Sequence, residues 1–225
     1  IIDQNLEAKG GKAAWQELKS VRLKGAMRVE GGAAGAVEMP FVVEMAKPDK
    51  VRIEFTMQGM TAVQAFDGEV GWAIMPFLGK TEPEQMDETQ LKQVKSQGDL
   101  GGPLVNYKDK GHTIELLGNE EVDGTAAIKL KLTRANGDVD FIYLDEEYFV
   151  EFKSESQRTI QGAETTVQTV YGDYKEVGGL MFAHSMEVSY GAGPGRQVVT
   201  ISSIETNLDL PDERFAMPAA APKAE

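Results

Sequence analysis

Few residues in this chain are able to do covalent chemistry. There are two histidines, His112 and His184, and no cysteine, which excludes disulfides, thiolate metal sites and cysteine nucleophiles. Each histidine stands inside a strand-like pattern, where a lone imidazole is more often structural than catalytic. His184 and Glu187 are three residues apart. That spacing would join them on a helix but sends them to opposite faces of a strand, so a shared metal is not expected. No G-x-S-x-G elbow, phosphate-binding P-loop or H-E-x-x-H occurs. The run Gly191-Ala192-Gly193-Pro194-Gly195 has the composition of a phosphate loop. It leads into a strand pattern instead of a helix N-terminus, however, and reads as a hairpin loop. The many carboxylates fall on the polar side of alternating segments. The expectation is a protein that is not an enzyme and uses no metal or cofactor.

What is left is apolar binding. Seven of the ten methionines (Met27, Met39, Met45, Met57, Met60, Met75 and Met86) precede residue 87, and flexible, polarizable thioethers suit variable apolar partners. Met39, Phe41, Val43 and Met45 alternate along one strand pattern, and Phe55 and Met57 along the next. Beyond Asp67-Gly68 come Trp72, Ile74 and Phe77. These nine residues are the expected lining of an apolar cavity, with Glu38, Glu44 and Glu54 on the opposite face. From Glu82 to about Gln97 the sequence turns charged and helical. Pro83 suits a first helical turn, and Met86, Leu91 and Val94 form a narrow apolar stripe. That stripe is the expected underside of a lid.

The elements that would position these residues can be read from period and punctuation. Residues 1–19 suggest two short helical turns meeting at Gly10-Gly11, with Trp15 pinning the second. From Ser20 the period becomes two, as in Val21, Leu23, Met27 and Val29 against Arg22, Lys24 and Arg28. A hairpin is expected about Asp67-Gly68, and further strands follow the lid, punctuated by Asp123-Gly124, Asn136-Gly137 and Gly178-Gly179. Strands joined by tight turns must be antiparallel. The fold class is therefore mainly β (α+β). We expect a single large curved antiparallel sheet forming an unclosed β-barrel, with an N-terminal helix and a short helical lid. One domain is expected over 1–218, with a disordered tail at 219–225.

The net charge of −13 over 225 residues argues against nucleic acid and against broad docking on an anionic membrane. No apolar run reaches the roughly 18 to 20 residues that span a bilayer.

Several motifs in order resemble the LolA/LolB family of bacterial lipoprotein carriers, especially the outer-membrane lipoprotein-sorting group. Lys47-Pro48 precedes the strand Val51-Arg52-Ile53-Glu54-Phe55, and Asp67-Gly68, Trp72 and Pro76-Phe77 match the family's DG…W…PF spacing. The stretch from Pro103-Leu104-Val105-Asn106-Tyr107 to Gly118 resembles the post-lid region. Asp173-Tyr174-Lys175 with Gly178-Gly179-Leu180-Met181-Phe182 resembles the late hairpin, and Phe215 to Pro218 the terminal F-x-x-P. The similarity runs from about residue 3 to 218.

The resemblance implies an unclosed barrel wrapping a hydrophobic cavity under helices, taking up acyl chains of lipids or lipoproteins without cofactor or covalent chemistry. It also implies a monomer in the periplasm, its leader removed before Ile1, served by inner- or outer-membrane transport partners. A lipid anchor is left open. Lys47 stands where the family places an arginine that latches the lid, and Lys lacks the planar fork of donors. Any latch at Lys47 is therefore expected to be weaker or differently made. Three readings stay open at this point: an acyl-chain carrier, a ligand- or partner-sensing adaptor of the same fold, or a structural domain with a filled core.

Overall fold

Alternation of apolar and polar residues puts most of the chain into strands. The computed structural model describes residues 1–31, 35–160, 163–191, 193 and 195–219. All but the first residue of the expected tail 219–225 therefore lies outside the described residues, as do Ala192 and Pro194 of the expected hairpin loop. Two short helices, α1 (Ile2–Ala8) and α2 (Lys12–Glu17), open the chain. Six strands follow: β1 (Ser20–Glu30), β2 (Val37–Ala46), β3 (Lys50–Met57), β4 (Met60–Phe66), β5 (Gly71–Met75) and β6 (Lys80–Gln85). Helix α3 (Glu88–Gln97) separates them from β7 (Thr113–Val122), β8 (Thr125–Thr133), β9 (Val139–Asp145), β10 (Glu151–Ile160), β11 (Ala163–Val177), β12 (Leu180–Tyr190) and β13 (Arg196–Thr206). The sheet order is β6-β5-β4-β3-β2-β1-β13-β12-β11-β10-β9-β8-β7, with β6 and β7 as unjoined edges. This is the unclosed antiparallel class expected from the sequence.

One expected boundary is corrected. Pro83 does not start the helix; it lies in β6, which pairs with β5. A proline is tolerated there because an edge strand leaves one row of N–H groups unused. The helix starts later because Asp87 caps it: its carboxylate accepts from the Gln90 backbone N–H at 2.8 Å, and the Gln90 side chain accepts from the Asp87 N–H at 3.1 Å. This reciprocal pair satisfies two of the donors that a helix start leaves bare.

The chain forms two compact units. The first comprises Ile1–Glu17, Arg28–Val37 and Gly101–Thr200. Its core is built on β8 and β9, where Leu130 faces Ile142 and Ile128 faces Leu144. Leu104 and Leu132 complete the buried cluster, and Ile2, Ile114 and Phe149 pack against it. Each such buried side chain contributes about 1.5–3 kcal/mol. Gly10, at φ +104°, ends the first helical turn hard against the β11–β12 turn. A Cβ there would lie 2.1 Å from the Gly179 carbonyl oxygen, so only glycine fits. Trp15 then donates its indole N–H to the Lys9 carbonyl at 3.1 Å and meets the Phe182 ring edge-on at 5.3 Å.

The polar groups buried in this unit are largely paired. Asp140 accepts from Arg134 Nε at 2.6 Å and from an Arg158 terminal nitrogen at 2.9 Å. Lys9 Nζ donates to Glu151 at 2.8 Å. Burial pushes the Tyr171 and Tyr174 hydroxyls above the ordinary phenol value, which keeps them neutral hydrogen-bonding groups.

The second unit comprises Leu18–Met27, Glu38–Leu100 and Ile201–Glu225. It contains β2–β6 and α3, and it carries the residues singled out for binding.

Candidate ligand-binding face

In an antiparallel pair, directly opposed residues point to the same side of the sheet. Phe41 opposes Phe55, Val43 opposes Ile53 and Met45 opposes Val51. On the next pair Val51 opposes Phe66, Phe55 opposes Ala62 and Met57 opposes Met60. Phe66 in turn opposes Gly71. Met39, two residues before Phe41, joins them by strand alternation. Phe77, in the short 3-10 turn Pro76–Leu78, brings its ring to 5.6 Å from that of Phe55. Seven of the nine expected lining residues (Met39, Phe41, Val43, Met45, Phe55, Met57 and Phe77) thus come together. Val51, Ile53 and Phe66 share that face and belong with them; the alternation through Val51, Ile53, Phe55 and Met57 already carried the signal for the first two.

Trp72 and Ile74 do not belong to it. They oppose Ala65 and Val63, placing them on the other side with Arg52, Glu54 and Glu44. The reason is the turn. Asp67 Oδ1 accepts from the backbone N–H groups of Glu69 and Val70 at 2.9 and 2.7 Å, and the turn sets Phe66 opposite Gly71. A shift of one residue in the pairing changes the face of a whole strand, and alternation within each strand does not fix the phase across the turn.

Trp72 instead anchors the C-terminal segment. Its indole N–H donates to the Phe215 carbonyl at 2.8 Å, and both side chains are fully buried. Beside it Glu44, 1% exposed, accepts from Arg22 Nε at 2.8 Å and Arg214 Nε at 2.6 Å. Hydrogen bonding to Glu44 holds the Arg22 guanidinium above its ordinary value. Arg214 also reaches Glu54, which Arg52 holds at 2.8 Å, and Arg52 lies 5.5 Å over the Trp72 ring. An open groove of about 400 Å³ passes over Val63, Trp72 and Ile74, walled by Arg52, Arg214 and Pro211.

On the apolar side the cover is α3. A Cβ on Gly71 would stand 2.7 Å from Leu91 Cδ1 and 3.2 Å from Met86 Sδ, so both side chains rest directly on the Gly71 backbone. Val94 is buried, Lys95 Nζ lies 4.8 Å over the Phe66 ring, and Gly98 abuts Val51. The helix therefore covers the Val51–Phe66–Gly71 end of the face. Toward the other end Phe41, Phe55, Met57 and Phe77 are only half-buried, and Met60 is exposed. Lys47 sits in the β2–β3 turn, exposed, with its backbone N–H donating to the Lys19 carbonyl at 2.9 Å. The sequence marks Gly98 only as a helix breaker and gives Gly71 no role, because a glycine that makes room for a helix looks like one that makes a turn.

The arrangement offers mainly apolar surface. His184 is buried in β12 of the other unit, with Nδ1 3.1 Å from the Phe182 carbonyl, and Glu187 lies on the opposite face of that strand. Among the described residues no cluster of His, Asp and Glu is arranged to hold a metal ion. Among them, too, no helix is long and apolar enough to cross a membrane.

No protein-family model and no curated protein matches the chain. Solved structures do. A LolA superfamily protein from Nitrosomonas europaea superposes with a TM-score of 0.66 at 18% identity, covering 94% of this chain and 96% of its own. A DUF1329 family protein from Desulfovibrio piger gives 0.66 at 13% identity, covering 96% and 95%. A domain from Vibrio parahaemolyticus, assigned to outer membrane lipoprotein sorting, gives 0.64 at 14% identity with 95% of each chain covered. This chain therefore shares its fold with these three structures.

Proposed function

We propose that this protein is a non-enzymatic periplasmic carrier that holds acyl chains of lipids or lipoproteins against the β2–β5 face beneath α3. The observation that carries the reading is the half-buried run of Met39, Phe41, Val43, Phe55, Met57 and Phe77, continuous with the face that α3 covers. Large apolar groups left half-exposed on a contiguous surface mark a site for an apolar partner. The likeness in fold to a lipoprotein-sorting domain supports the same reading.

The energetics suit reversible burial. Each methylene removed from water is worth about 0.8 kcal/mol, so ten give about 8 kcal/mol before ordering costs. Such a ligand must also be released, and a cover held by few apolar contacts opens at low cost. Met86, Leu91 and Val94 would form that cover, with Lys47 at the neighbouring turn as part of its latch. Native mass spectrometry of gently purified protein tests the proposal directly. A co-purifying lipid, displaced by a fluorescent fatty acid and lost in a Phe55→Glu variant, is expected. A protein that carries no lipid and fails to bind the fatty acid would overturn it.

A further inference from the structure

The two edges of the sheet are finished differently. Edge strand β6 is six residues long, carries Lys80, Glu82 and Glu84, and has Pro83 at its centre. Proline removes a ladder donor and charge discourages stacking, so this edge is blunted against added strands. Edge strand β7 runs for ten residues without proline. At its middle Leu116 is 56% exposed and Leu117 44% exposed. Leu116 opposes Leu130, which is buried and itself opposes Ile142. It therefore prolongs a core row to the rim of the sheet, where among the described residues no further strand continues it. Leu117 is the extra residue of a bulge between Leu116 and Gly118.

We infer that β7 is a docking edge for an extended, cationic segment of another protein, added as a further antiparallel strand. Main-chain hydrogen bonds would supply the ladder, and an apolar residue opposite Leu116 would carry the Leu116–Leu130–Ile142 row one strand outward. The charge of the edge selects the partner. Glu115, Glu120 and Glu121 are exposed along β7, and Lys131 and Lys129 of β8 answer only the first two, at 3.9 and 3.1 Å. The strand is left acidic on a chain of net charge −13, which favours a Lys- or Arg-bearing strand. The same charge disfavours a second copy, because β7 on β7 would set acidic rows against each other. A β7-to-β6 pairing fails at Pro83. The bulge confines regular pairing to Thr113–Leu116 and Gly118–Val122, so the partner need only be a short strand.

The test uses the full chain and three amidated decapeptides: alternating Lys and Val, the same peptide N-methylated at every second backbone amide, and alternating Glu and Val. Hydrogen exchange over residues 113–122 is expected to slow at least tenfold, saturably, with the Lys-Val peptide. Binding of the other two should be weaker by tenfold or more. Glu115→Gln with Glu121→Gln should weaken the Lys-Val peptide severalfold, and Leu116→Lys with Leu117→Lys should abolish its binding. If the lysine variant does not fold by circular dichroism, the glutamine variant decides. Equal binding of the N-methylated peptide, no protection at 113–122, or competition with a fluorescent fatty acid would each overturn the inference. So would peptide-independent protection that grows with protein concentration alongside a dimer in ultracentrifugation. Because β7 is not part of the proposed acyl face, loss of fatty-acid binding alone bears on that proposal and leaves this one standing.

Discussion

The two faces of β2–β5 are closed by different means. On one, Arg22 and Arg214 reach the buried Glu44, and Trp72 the buried Phe215, so that directional bonds anchored on buried groups tie the C-terminal segment down. On the other, α3 lies over Gly71, Phe66 and Val51 through apolar contacts and the Lys95 amine over the Phe66 ring. Directional bonds in a dry setting are costly to break one at a time, because each leaves an orphaned partner behind. A small apolar footing leaves none. The same four strands therefore have one side built to stay shut and one able to open.

The largest effect should come from the shut side. Trp72→Ala removes a fully buried ring and the Phe215 hydrogen bond, and should cost about 3–5 kcal/mol of stability, read from the urea midpoint. Binding of a fluorescent fatty acid to the folded fraction should persist, since Trp72 faces away from Phe55. Loss of binding at unchanged stability would put Trp72 back among the ligand contacts and collapse the distinction between the faces.

Glu44 ranks next. Glu44→Ala leaves Arg22 and Arg214 without their shared carboxylate, but both guanidiniums are partly exposed and water can take over. A loss of about 2 kcal/mol is expected, below that for a wholly buried pair. Limited proteolysis should then cut the C-terminal segment before α3. Cleavage at α3 first would show that the network does not hold that segment.

On the open side, Met86→Glu with Leu91→Glu should lower fatty-acid affinity about tenfold. Stability should change by no more than about 1 kcal/mol, because α3 rests on few buried groups. Unfolding of this double variant would mean that α3 belongs to the core, and both faces would then be permanent.

Much of this was legible beforehand. The N-terminal turns at Gly10-Gly11, the meander and the Asn136-Gly137 hairpin follow from local signals, since period and turn residues act over a few positions. Met39, Phe41, Val43 and Met45 on β2, and Phe55 and Met57 on β3, could be grouped because each strand keeps its own alternation. The phase of Trp72 and Ile74 could not, because it depends on how the Asp67 turn closes. Pro83 misled for a related reason: a first helical turn and an edge strand both tolerate it, and only pairing with β5 decides between them. The Trp72–Phe215 bond joins residues far apart in the chain, and no periodicity reports such a contact.

The smallest effect calibrates the comparison. Arg196 holds Glu30 at 2.6 Å outside both faces, and that hydrogen bond lowers the Glu30 carboxyl below its ordinary 4.5. A lowered folded-state value means that the stabilisation is whole above 4.5 and is lost as pH falls through the folded value, when the native carboxylate too takes up its proton. Since the pair is exposed, the whole effect should be slight. The urea midpoints of wild type and Glu30→Gln should nearly coincide at neutral pH, converge fully in acid, and draw together at neutral pH when salt is raised. A Glu30→Gln loss as large as that of Glu44→Ala would show that burial is not what distinguishes the shut face, and that its strength must come from the covalent run of the C-terminal segment instead of its ion pairs.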